Sequence, residues 1–169
     1  MAILQKLKER FRRDSVTLDL QDIQALILRS RPEPYVGVHA MLHFDEAAGA
    51  RNLLGRLAPH IASADNWSED LDFWIGAALS FEGLKALGVP DAQLKTFPLP
   101  FQQGMAARAE QLRDFGPNAP ENWEDVFKPG NCHLALTIYA VDDDALDKAL
   151  ATARTELDRS SGVTLLGEH

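Results

Sequence analysis

The sequence has little cysteine, no long apolar run and no leader-like start. Cys132 is the single cysteine among 169 residues, which excludes an internal disulfide and favours a reducing compartment. No apolar stretch approaches the roughly 18 residues that a membrane-spanning helix needs. The first residues lack the apolar centre of a secretory signal. We therefore expect a cytoplasmic protein without a transmembrane segment.

The sequence also lacks an excess of positive charge. It contains 17 Lys and Arg against 25 Asp and Glu, which gives a formal net charge of −8. A surface that binds phosphates normally requires the opposite balance, so nucleic acid is not an expected partner. A hydrophobic content of 46% is ordinary for a globular protein of this length.

Basic residues are concentrated at the N-terminus. Lys6, Lys8, Arg10, Arg12 and Arg13 stand against Glu9 alone in the first 13 residues, where apolar residues recur at helical spacing. We assign residues 1–17 to a basic amphipathic extension. It either packs on the acidic body of the protein or lies on an anionic membrane or a partner.

Period-two alternation predicts four strands, and helical patterns lie between them. One helix is expected to begin at a cap formed by Asp45 and to end near Leu57. Another is expected to begin at Asp142 or Asp143. The predicted strands cover about residues 35–44, 71–80, 132–141 and 163–168.

This element order predicts the fold class. Residues 18–169 read as βαβ, a helical insertion and a second βαβ, which is typical of an α+β, ferredoxin-like sandwich. We expect one such domain, with a four-stranded antiparallel sheet and helices on one face. The insertion covers about residues 81–131, and its helices are predicted near residues 81–87, 91–96 and 101–114.

The two faces of the predicted sheet differ in polarity. One face is wholly apolar and is expected to pack on the helices. The other, here called the mixed face, carries polar, aromatic and histidine side chains and is expected to meet another sheet or to enclose a ligand. The mixed face contains Tyr35, His39, Met41, His43, Trp74, Ala78, His133, Thr137, Tyr139, Thr164 and Leu166.

The histidines of the mixed face do not form a recognisable metal site. His39 and His43 lie about 13 Å apart along a strand, so they cannot hold one ion together. Pairing of the first and third strands would bring His133 nearer to His39, yet a site would still need a third ligand. We predict no metal site. The candidates for lining an interface or cavity are His39, Met41, His43, Trp74, His133 and Tyr139.

Other conspicuous residues have structural explanations. Cys132 and His133 are strand neighbours whose side chains are expected on opposite faces, which disfavours a thiolate–imidazole pair. The acidic run from Asp142 to Asp144 suits the N-terminus of a helix. The tryptophans are interpreted as packing anchors rather than electron-relay sites: Trp67, Trp74 and Trp123.

Three stretches carry a family pattern: Asp22-Ile23-Gln24 with the run Leu26–Arg29, the run Leu84–Pro90, and the run Phe97–Trp123. Together they resemble the N-terminal half of DyP-type (dye-decolorising) haem peroxidases, over about residues 18–168. The resemblance implies a dimeric α+β barrel in which two ferredoxin-like halves face each other around haem b. It also implies oxidation of dyes and phenolic compounds by hydrogen peroxide.

The catalytic pattern of that family is not found in this sequence. No Gly-x-x-Asp-Gly segment occurs, and no position matches the family's proximal His or distal Arg. We therefore assign no catalytic residue, expect haem b only after completion by a haem-bearing C-terminal half, and expect the chain to be inactive alone. The alternatives are a stand-alone ferredoxin-like homodimer that binds haem or a small apolar ligand without turnover, and an unrelated ferredoxin-like enzyme or interaction module.

Overall fold

The sheet has the strand order of a ferredoxin-like fold. The computed structural model describes residues 18–28, 33, 35–65 and 71–169. Its strands pair antiparallel in the order β2-β3-β1-β4, which confirms the predicted α+β class. The predicted extension at residues 1–17 and Trp67 lie outside the described residues. The strands are β1 (Val36–Phe44), β2 (Phe73–Leu79), β3 (Leu134–Ala140) and β4 (Val163–Glu168).

Two long helices cover one face of the sheet, and short helices occupy the insertion. No helix of the described segments is long and apolar enough to cross a membrane. The α-helices are α1 (Ala25–Leu28), α2 (Ala47–Leu57), α3 (Phe81–Ala86), α4 (Asp91–Leu94), α5 (Leu99–Gln103), α6 (Ala109–Leu112) and α7 (Asp143–Asp158). Single 3-10 turns lie at Leu20–Asp22, Ala58–His60, Ala106–Arg108, Gly116–Asn118, Pro120–Asn122 and Asp125–Phe127.

The predicted apolar face packs on α2 and α7, as expected. Leu42, Leu134 and Leu136 of the sheet are fully buried with Leu53 and Leu57 of α2. A second cluster joins sheet residues to α7. Each fully buried leucine stabilises the fold by about 1.5–3 kcal/mol relative to an exposed one. This packing turns the mixed face away from the helices.

The sequence predicted the N-terminal cap of α7 correctly but not that of α2. Asp142 caps α7, since its carboxylate accepts a hydrogen bond from the N–H of Ala145 at 2.9 Å. The predicted cap of α2 is wrong. Glu46 occupies that position without a side-chain bond, and Asp45 instead accepts a 2.8 Å hydrogen bond from the hydroxyl of Thr164. Asp45 therefore ties β4 to the end of β1.

The insertion contains more breaks than its sequence pattern indicates. The predicted helices near residues 81–87 and 91–96 are present as α3 and α4. The predicted continuous helix over residues 101–114 is wrong. Helix α5 begins after Pro98 and ends at Gly104, whose φ of 70° suits glycine, and α6 ends at the left-handed Arg113. The prolines therefore begin a helix here, and Gly104 ends it.

The two edges of the sheet are built differently. The side-chain amide of Gln24 makes two 2.8 Å hydrogen bonds to the backbone of Ala77, donating to its carbonyl and accepting from its N–H. Ile61 adds an isolated parallel bridge to β2 at Ile75. The opposite edge is β4. A register shift between Met41 and Leu42 places Gly167 opposite Met41 and leaves Leu166, which was predicted on the mixed face, without a paired residue in β1.

Candidate functional site

Part of the mixed face is closed by the chain itself. Leu26 of α1 lies over Gly76 of β2, where a Cβ atom would come within 2.9 Å of the Leu26 Cδ1 atom. Trp74 is only 1% exposed and Met41 is 9% exposed within the single chain. These two candidates are consequently packed positions, and neither offers an open surface to a partner.

The centre of the mixed face remains half-exposed. The ring of Tyr139 is edge-on to Tyr35 at 5.2 Å and to His39 at 6.1 Å between ring centroids. Thr137, which pairs with His39 across β1 and β3, joins the His39 Nδ1 atom through a 3.0 Å hydrogen bond. This aromatic and polar group is open to a second surface, as are Ala78 and Thr164 of the same face, which are exposed.

The stacked rings of His43 and His133 hold backbone segments together. Their ring centroids lie 4.1 Å apart. His43 donates from Nδ1 to the carbonyl of Asn131 at 2.7 Å, since a carbonyl can only accept. His133 Nδ1 accepts the N–H of Phe44 at 2.9 Å, and its ring also bonds to the backbone of Gly130. The pair therefore fastens the end of the insertion to β1.

The register explains where His133 lies. Because His39 pairs with Thr137, His133 comes next to His43 and not next to His39, which corrects the expected proximity. Burial lowers the pKa of His133, and the adjacent His43 ring lowers it further. A neutral His133 is what the bond from the Phe44 N–H requires, because a protonated Nδ1 could not accept it.

No metal site is formed by the part of the chain that the structure describes: it holds no suitably placed group of three or more His, Cys, Asp or Glu residues. The Cys132 thiol lies 3.7 Å from both the Met41 sulfur and the Leu134 carbonyl. Burial raises the pKa of this thiol, which favours the neutral form. The arrangement is that of a packed cysteine.

The insertion contains a cavity that the sequence prediction did not include. It has a volume of about 860 Å³ and lies between α3, α5 and the segment 123–132. Its walls come from stretches up to about fifty residues apart in the sequence, so no local pattern indicates it. The aromatic and sulfur-containing residues of its lining are Phe81, Phe101, Met105, Trp123, Phe127 and Cys132.

Comparison with known families agrees with this architecture. A four-stranded sheet that leaves one face for a second sheet defines the dimeric α+β barrel class. Residues 47–165 match the family described as the DyP dimeric alpha+beta barrel domain, and the chain belongs to that family. The stretches 84–90 and 97–123 lie inside this match, whereas the stretch 22–29 precedes it.

Several solved structures share the fold. DyP2 from an Amycolatopsis species superposes with a TM-score of 0.73 at 23% identity, covering 88% of this chain and 32% of that one. An ancestral D-type dye decolorizing peroxidase gives 0.75 at 24% identity, covering 89% and 34%. A fungal DyP-type peroxidase from Auricularia auricula-judae gives 0.72 at 22%, covering 91% and 33%. Among curated proteins none matches the chain.

The extent of these likenesses limits what they establish. The chain spans about one third of the length of the peroxidases it superposes on. At these identities the likeness establishes the fold alone. The activity, haem and partners of the whole enzymes therefore enter only as proposals for this chain.

Proposed function

We propose that this chain is the N-terminal, barrel-forming half of a DyP-type haem peroxidase and works with a haem-bearing half docked on its mixed face. The family match over residues 47–165 carries this proposal. The helix-covered face is closed by α2 and α7, while the centre of the mixed face around Thr137 and Tyr139 is half-exposed. A second sheet would bury that centre and complete a barrel.

Neither the cavity of the insertion nor the stacked pair of His43 and His133 fits haem as a group held by this chain alone. The cavity of the insertion is lined by no histidine, and of its two sulfur-containing residues, Met105 and Cys132, the cysteine favours the neutral thiol. His133 has hydrogen bonds at its ring to Phe44 and Gly130, and His43 lies 3.9 Å from the Asp45 carboxylate. In this proposal haem b belongs to the other half. The role of this chain is to cover the haem-bearing half and to exclude water from its haem site.

Dye oxidation by hydrogen peroxide tests the proposal, with haem occupancy measured by absorbance. The chain supplied with haemin should turn over dye no faster than free haemin, and activity should rise when a haem-bearing half is added as a separate polypeptide. The chemistry requires an iron ligand and a placed acid–base group, which this proposal assigns to the other half. Turnover by the chain alone well above free haemin would overturn the proposal.

A matched pair of variants tests whether the second half docks on the mixed face. Thr137→Arg places a charge at the half-exposed centre and should abolish association with the second half. Thr155→Arg makes the same change on the exposed side of α7 and should leave association intact. Equal loss in both variants, or in neither, would argue against docking on this face.

A second candidate function uses the same surface. A stand-alone homodimer could join two mixed faces, bind a small apolar molecule or haem and show no peroxidase turnover. Light scattering separates the two candidates, because this one requires the isolated chain to be a dimer that Thr137→Arg dissociates. A reducing, cytoplasmic location is part of both proposals, and the free thiol of Cys132 supports it.

A further inference from the structure

The cavity of the insertion has the size and shape of a small-molecule site. Its volume of about 860 Å³ falls in the range of roughly 300–1,000 Å³ that is common for ligand pockets. Helix α3 and helix α5 form one side, and the segment 123–132 forms the other. The stacked His43 and His133 hold the end of that segment in place through Asn131 and Gly130.

The aromatic walls of the cavity are braced from behind. Phe101 meets Phe81 edge-on at 5.8 Å and is backed by Phe97 at 5.3 Å between ring centroids. On the other side, Phe127 packs on the ring of His169 at 5.4 Å. The indole N–H of Trp123 donates to the carbonyl of Asn118 at 2.9 Å. The aromatic side chains that a ligand would contact are therefore already held in place.

The charges at the rim of the cavity are neutralised inside the chain. Glu82 lies in an ion pair with Lys85 at 2.8 Å. Lys128 lies in an ion pair with Asp125 at 2.6 Å, and the lysine lowers the pKa of that carboxyl. Since each rim charge already has an opposite partner, the cavity offers no net attraction to an ionic ligand.

We propose that this cavity is a binding site for an uncharged, planar aromatic molecule. Phe81 and Phe101 on one wall and Trp123 and Phe127 on the other supply faces and edges for aromatic contacts, which favour offset and edge-on geometry. The site is separate from the half-exposed centre of the mixed face. It goes beyond the proposed function, because it requires neither haem nor a second half.

The probe for this site is N-phenyl-1-naphthylamine, an uncharged aromatic amine whose fluorescence rises in apolar surroundings. Titration of the full chain should give saturable binding at one site. Ala106→Trp, which fills the cavity with an apolar side chain, should weaken that binding at least about tenfold, since the ligand and the indole compete for one volume. Ala151→Trp on the exposed side of α7 is the matched control and should bind as the wild type does.

Cys132 gives a second, independent readout, because it lines the cavity and is the single cysteine. Saturating probe should slow its alkylation by a maleimide at least about tenfold in the wild type and in Ala151→Trp. Phe101→Asp introduces a charge into the wall of the cavity and should abolish binding of the probe. Phe115→Asp introduces the same charge at an exposed position outside the cavity and should leave binding unchanged. Circular dichroism establishes that each variant is folded.

Three results would overturn the proposal. One is unsaturable or multiple binding, which marks a general apolar surface. Another is saturable binding that Ala106→Trp leaves unchanged or that leaves Cys132 fully reactive. The last is a wild-type oligomer that Phe101→Asp dissociates, because the cavity would then be an interface between copies of the chain. Failure of this site would leave the proposed peroxidase half untouched, since dye oxidation with the second half is measured separately.

Discussion

The ring of Tyr139 lies over Gly37 so closely that a Cβ atom on Gly37 would come within 2.4 Å of the Tyr139 Cδ1 atom. The same Cβ would also meet the Ile138 carbonyl oxygen at 2.9 Å. Gly37→Ala should therefore lower the free energy of unfolding by about 1–3 kcal/mol, because both the ring and the paired strand must move. Urea denaturation measures this change.

A glycine in open space provides the control for that experiment. A Cβ atom at Gly55 of α2 would meet nothing within 4 Å. Gly55→Ala should leave stability unchanged or raise it by up to about 1 kcal/mol, because alanine favours the helix. Equal losses in the two variants would contradict the proposed role of Gly37.

The second prediction concerns the bonds between Gln24 and Ala77. Gln24→Ala should cost about 1–3 kcal/mol of unfolding free energy, because it leaves the N–H and carbonyl of Ala77 without these partners. Hydrogen exchange at Ala77 should accelerate with it. Gln21→Ala removes an exposed glutamine of the same segment and should stay within about 0.5 kcal/mol of the wild type. An unchanged rate of hydrogen exchange at Ala77 in Gln24→Ala would contradict this prediction.

The third prediction follows from the lowered pKa of His133, whose ordinary value is 6.5. Because the folded state holds the neutral ring, the stabilisation is complete above about pH 6.5 and is lost as pH falls from there through the folded-state pKa. His133→Asn keeps an acceptor near the Phe44 N–H but does not titrate, so its stability should depend less on pH. Unfolding free energies at pH 7.5 and 5 test this.

His133→Gln is the contrast for that measurement. Its amide lies further along the side chain and does not reproduce the position of Nδ1, so the variant should be less stable than His133→Asn at both pH values. An unaltered pH dependence in His133→Asn would assign the effect to another group.

The fourth prediction concerns the half-buried thiol of Cys132. Since burial raises the pKa of Cys132, a smaller fraction is thiolate in the folded chain than in the unfolded one at any pH near neutrality. Maleimide should therefore react more slowly with the native chain than with the chain in urea, and the native rate should rise at more alkaline pH. Equal rates in the two states would contradict this prediction.

The framework of the fold could be predicted from the sequence because it depends on local periodicity. Alternating apolar residues placed all the strands to within about two residues, and Asp142 marked the start of α7. The predicted long helix of the insertion was wrong because Gly104 and Arg113 adopt positive φ values that interrupt it. Only the proline and glycine content of that stretch indicated irregularity.

The candidate site was harder to predict because it is made by tertiary contacts. His43 and His133 stand out in the sequence as possible metal ligands. In the structure their rings hydrogen-bond to the backbone of Asn131, Phe44 and Gly130, and backbone contacts of this kind leave no pattern in the sequence. Met41 contacts Cys132 at the end of the insertion, and Leu26 lies over Gly76 beside Trp74 in the chain; a strand pattern contains no information about such contacts.

The unequal edges of the sheet decide how strand pairing between molecules can proceed. The edge at β2 is occupied by the Gln24 amide and by Ile61, whereas β4 ends the sheet on the other side. Exposed edges are templates on which further strands can add. Because the Gln24 amide already occupies the backbone groups of Ala77 and Ile61 bridges to Ile75, an incoming strand finds fewer free partners at the β2 edge, which disfavours extension of the sheet into fibres from that side.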